Sequence, residues 1–104
     1  MKLYHYSDKK IESIDMNKCD GFWMTTIAPT DTDMLDEIGC AGSKYCHVVE
    51  FNDDVDFEMN GAHHNVEEFL LENKCEYILN RYDGFNDYAT CNTSLVKIIE
   101  IIEM

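Results

Sequence analysis

Apolar residues alternate with polar ones in several short stretches of the chain and recur every three to four positions in two others, so the pattern predicts a mixed fold. Leu3, His5 and Ser7 point one way and Tyr4 and Tyr6 the other along a first strand. A second strand spans residues 22–27 and ends before Pro29, the only proline, which cannot continue a central ladder. Residues 44–51 form a third, with Tyr45, His47, Val49 and Phe51 on one face. Residues 87–92 form a fourth and residues 95–102 a fifth. The run of Ile98, Ile99, Ile101 and Ile102 predicts that the fifth is covered on both faces.

Helical spacing appears first after Thr30 or Asp31, an N-cap for Met34, Leu35 and Ile38, with Gly39 as the stop. It appears again after Asn65, with Glu68 in the capping-box position. Val66, Phe69, Leu70, Ile78 and Leu79 then predict one helix or two short ones over 66–81, closed by Tyr82-Asp83-Gly84-Phe85. The expected class is therefore α+β, mixed or antiparallel sheet with one main and one short helix. Residues 8–20 read as an extended loop or short turn, and residues 39–44 as a turn-rich loop.

A chain of 104 residues forms one domain, residues 1–104, and 45% hydrophobic with 12% aromatic residues suffices for a core. Charge changes the picture more. Twenty-one acidic residues against eight basic ones give a net charge of −13, and Arg81 is the only arginine. No basic stripe exists to neutralise phosphates, which argues against direct contact with nucleic acid or an anionic membrane and favours a basic protein partner. The same acidity admits a second reading, in which the surface imitates a nucleic acid, and a plain one, in which it keeps the chain in solution.

Five scattered cysteines without a C-x-x-C pair read as reduced thiols. No signal peptide or membrane-length apolar run is present, so the expected location is the cytoplasm. No metal site is expected. The acidic residues 52–58 lack the glycine and final glutamate of a calcium loop, and His63-His64 has no second pair at zinc spacing.

Candidate chemistry lies in the first two strands. His5 and Ser7 place an imidazole and a hydroxyl side by side; Gly21 permits close backbone approach; Trp23 offers a flat apolar plate; and Thr25 points the same way as Trp23. Read singly, His5 is an ordinary bonded histidine, Trp23 a large core residue, and His47 a structural one.

Taken together, Leu3-Tyr4-His5-Tyr6-Ser7 followed by Gly21-Phe22-Trp23-Met24-Thr25-Thr26 resembles the start of the ADP-ribosyltransferase fold, above all its small phage and bacterial members. An anti-CRISPR family of that fold is especially similar at its N-terminus. The tail resembles the same fold: Tyr82-Asp83-Gly84-Phe85, then Asp87-Tyr88-Ala89-Thr90-Cys91-Asn92, then Val96-Lys97-Ile98-Ile99. The resemblance implies NAD as co-substrate, with His5 and Ser7 at the riboses, Trp23 stacked on nicotinamide where the family more often has Tyr, and Tyr6, Gly21 and Thr25 beside them. It implies Asp87 as the catalytic carboxylate with His5, where many members carry Glu. Asp83 and Asn86 are the alternatives should the alignment slip across the turn.

The implied activity is mono-ADP-ribosylation that inactivates a basic host protein, such as a CRISPR or other nucleic-acid-binding defence complex. The alternative is a non-enzymatic acidic inhibitor, either a nucleic-acid mimic or a degenerate transferase scaffold. A third reading, action on an RNA 2'-phosphate, is opposed by the charge.

Overall fold

The computed structural model describes residues 1–14, 21–59 and 65–104. Seven strands form one sheet in the order β4-β5-β6-β2-β1-β3-β7: β1 (Lys2–Ser7), β2 (Phe22–Thr25), β3 (Tyr45–Phe51), β4 (Phe57–Met59), β5 (Tyr77–Tyr82), β6 (Phe85–Thr90) and β7 (Val96–Glu103). Among the described residues two helices accompany them, α1 (Thr32–Glu37) and α2 (Val66–Asn73), and a 3₁₀ turn (Thr93–Leu95) leads into β7. Every ladder is antiparallel except that of β4 with β5. The expected α+β class, with one main and one short helix, is observed.

The sheet curls. Phe51 on β3 packs edge-on against Tyr77 on β5 at 5.1 Å between ring centroids, although β6, β2 and β1 lie between those strands. The Tyr77 hydroxyl also donates to the Asp53 carbonyl at 3.0 Å. The inner face thus gathers Leu3, Phe22, Met24, Val49, Phe51 and Tyr88 into the main core. Outside, Val66 and Leu70 of α2 cover Ile78 and Ala89, and Trp23 packs against the same group.

Local signals explain both helices. Asp31 caps α1 by accepting from the Met34 N–H, and Asn65 caps α2 by accepting from Glu68 N–H at 3.1 Å. The expected helix over 66–81 is nevertheless only half correct. Lys74 turns left-handed at φ 53°, and residues 77–82 run as strand β5. The apolar pair Ile78 and Leu79 fits either period, and what decides is the Asp83-Gly84 turn, which joins β5 to β6 as a hairpin with Tyr82 opposite Phe85. The fourth expected strand accordingly starts two residues early, at Phe85.

β7 corrects a second expectation. It is an edge strand rather than one covered on both faces, and Ile99 is 48% exposed where the register with β3 shifts between Val48 and Val49. Short β4, within the acidic stretch, guards the opposite edge.

The middle of the sheet is thinly joined. β1 and β2 share a single register pair, Tyr4 with Thr25, whereas β1 and β3 share six. Side chains supply the missing ties: His5 Nδ1 lies 2.6 Å from the Trp23 carbonyl, and the Tyr6 hydroxyl donates to the Ile27 carbonyl at 2.6 Å.

Candidate functional site

The register decides which candidate residues share a surface. Tyr4 pairs with Thr25, Thr25 with Asp87, and Asp87 with Asn80, so these four side chains stand on one face of the sheet. Trp23, two residues before Thr25, joins them. This is the outer face.

A cavity of about 200 Å³ opens there at the β1–β2 junction. Tyr4, Tyr6, Trp23, Thr25 and Asp87 line it, with Ile38 and Cys40 from the segment after α1. His5 contributes to its wall as well. Among the described residues, no lysine or arginine lines it.

The His5 ring itself turns inward. It stacks on Phe22 at 4.2 Å between centroids and stands 5.6 Å from the ring of His47, its register partner. Because His5 Nδ1 meets a carbonyl oxygen, it carries the proton and donates. Burial holds its pKa below the usual histidine value; the Trp23 carbonyl opposes that shift, and His47 adds to it.

His47, fully buried, is structural as expected. Its Nδ1 donates to the His5 carbonyl at 3.0 Å, and its Nε2 accepts from the Ile11 N–H at 2.8 Å, which fixes a neutral ring.

Two further residues have duties away from the cavity. Ser7 Oγ accepts from Lys9 N–H at 3.1 Å in the turn after β1. Gly21, at φ 83°, is required by α2: a Cβ there would lie 2.8 Å from Val66 Cγ2. Its close approach is to a helix, not to a ligand.

Asp87 is the one acid among the described residues that line the cavity. Burial raises its carboxyl pKa, and a hydrogen bond from Thr25 partly offsets the shift. The Thr25 hydroxyl has one proton for two acceptors, this carboxyl and the Asn86 carbonyl at 3.3 Å. Burial and the neighbouring Asp87 also raise the Cys40 thiol. Asp83 and Asn86, the alternatives to Asp87, do not line the cavity.

A half-buried acid sharing a cavity with an indole, with no basic side chain among the described lining residues, suits an electron-poor or cationic ring. The volume falls below the roughly 300–1,000 Å³ of a drug-sized ligand site. It accommodates one ring or sugar, not a whole dinucleotide.

A larger cavity of about 400 Å³ lies against Phe51, Asn52, Asp53, Ser94 and Lys97. No buried titratable group faces it, so it is the weaker candidate despite its size.

Sequence reasoning missed Tyr4, Ile38, Cys40 and Asn80. Asn80 is 4% exposed, and its Oδ1 has no hydrogen-bond partner among the described residues. The signal was present as one amide directly after the apolar run Tyr77-Ile78-Leu79, but only the ladder reveals the acid opposite.

No group of three or more His, Cys, Asp or Glu side chains that could hold a metal occurs among the described residues, and His63-His64 lies outside them. Cys40, Cys46 and Cys75 are free thiols. No helix among the described residues is long and apolar enough to cross a membrane. Comparison with protein-family models, with curated proteins and with solved structures returns no match.

Proposed function

We propose that the chain is a mono-ADP-ribosyltransferase that modifies a basic protein partner, with the outer-face cavity receiving the nicotinamide end of NAD. The observation that carries the reading is Asp87: a half-buried carboxyl set opposite Thr25 and in one cavity with Trp23. NAD supplies an electrophilic ribose carbon whose bond to nicotinamide breaks with the electron pair leaving on the ring. Trp23 presents a face for that ring. The ionised Asp87 carboxylate stabilises positive charge on the sugar and accepts the proton of the incoming protein nucleophile, which forms the new bond.

His5 serves here by tying β1 to β2 and so shaping the wall, since its Nδ1–H is committed to Trp23. The remainder of the dinucleotide would lie outside the cavity, along the segment that follows α1. Free thiols suit the reducing cytoplasm of a host cell.

A second reading draws on the surface. Asp53, Asp54 and Asp56 are exposed, and the ion pairs formed among the described residues are Met1 N-terminus with Glu50 and Lys10 with Glu12. Such a surface suits a stoichiometric inhibitor of a nucleic-acid-binding defence complex, CRISPR or other.

Incubation with NAD and a host lysate, followed by mass spectrometry, tests the first reading. An ADP-ribosyl mass on a lysate protein, lost with Asp87→Asn and Trp23→Ala, is expected. Inhibition of a partner that survives both substitutions, with no adduct and no thermal protection by NAD, overturns it in favour of the second.

A further inference from the structure

Asn80 and Asp87 face each other directly across the β5–β6 ladder, which sets their Cβ atoms about 4.5–5.5 Å apart on the outer face. Asn80 is buried with an unpaired acceptor oxygen. Asp87 is half-buried, with no lysine or arginine among the described residues of the cavity wall. An ionised carboxylate cannot donate to Asn80 Oδ1; a protonated one can. Each group thus holds what the other lacks.

We infer that Asn80 is a positioning residue for Asp87, and that the two share a proton: protonated Asp87 donates its O–H to Asn80 Oδ1, and loss of that proton strands the amide oxygen. The raised Asp87 pKa agrees in direction. Among the described residues, the other polar and titratable groups lining the cavity are the Thr25 hydroxyl from β2, the Tyr4 and Tyr6 phenols and His5 from β1, and the Cys40 thiol beyond α1, with no lysine or arginine. That the pair sets the acid limit of transfer rests on Asp87 being the site carboxylate; the shared proton does not.

Two measurements on the full chain test the pair. In a carbon-detected NMR titration, the Asn80 carboxamide carbon should move with the same midpoint as the Asp87 carboxyl carbon. An Asn80 signal indifferent to that titration overturns the inference. In thermal melts at pH 7, Asp87→Asn supplies a permanent donor and should raise Tm by roughly 4–8 °C, the shift expected of about one satisfied buried hydrogen bond in a domain of this length. In an Asn80→Ala background the gain should be clearly smaller, and equal gains in both backgrounds overturn the inference. Absence of transferase activity with the NMR coupling intact would remove the enzymatic reading and leave the pair.

Discussion

The two faces of β1 and β2 carry similar residue types and do opposite things with them. Inside, His5 and His47 are packed among Phe22 and their backbone neighbours, and both nitrogens of His47 are engaged. Outside, Tyr4, Trp23, Thr25 and Asp87 frame open space, and the acid has a weak, divided partner in one threonine. A polar side chain with every atom bonded holds the fold; one buried with capacity to spare is where a ligand gains most. By that measure Asp87 and Asn80 are the pair with bonding capacity to spare, and the histidines are bonded into the frame.

The largest effect expected from breaking this contrast is inside. His47→Leu strands the His5 carbonyl and the Ile11 N–H and should lower stability by roughly 2–4 kcal/mol in urea unfolding. A loss under about 1 kcal/mol would mean that the inner histidine is not a frame element.

Opposite pH slopes sharpen the contrast next. The folded His5 pKa lies below its ordinary 6.5, so the unfolded chain binds the extra proton; stability should be full above that value and fall as pH drops through the folded pKa. Asp87 has the reverse sign. Its folded pKa lies above 3.8, so its contribution is full below that value and is lost as pH rises through the folded pKa. His5→Gln should flatten the first slope and Asp87→Asn the second. A slope of the wrong sign for either residue would exchange their roles.

The smallest effect belongs to Trp23→Phe, which keeps an aromatic plate on the outer face and should cost less than about 1.5 kcal/mol. Since Trp23 is the only tryptophan, wild-type emission reports on the cavity directly. Quenching or a spectral shift on titrating nicotinamide is expected, and an unresponsive spectrum would place ring binding elsewhere.

Much of this was legible in the chain. Alternation located β1, β2, β3 and β7 to within about two residues, and the caps Asp31 and Asn65 stand where side-chain chemistry put them. What alternation cannot supply is register. His5 and Trp23 looked like neighbours in one cleft, and both do line the cavity, but pairing Tyr4 with Thr25 turns the imidazole ring inward onto Phe22. Gly21 looked like a ligand approach because the packing of Val66 upon it joins residues 45 positions apart. Ile78 and Leu79 suit a helix as well as a strand, and partners distant in sequence decided the matter.

The single ladder pair between β1 and β2 has a mechanical consequence. Along the sheet the two halves meet at one register pair and two side-chain ties, while Phe51, Tyr77 and the shared inner core join them across the curl, so the seam is held more by its inner face than by its ladder. The cavity sits on that seam, so its volume is set by the spacing of β1 and β2 and changes with it.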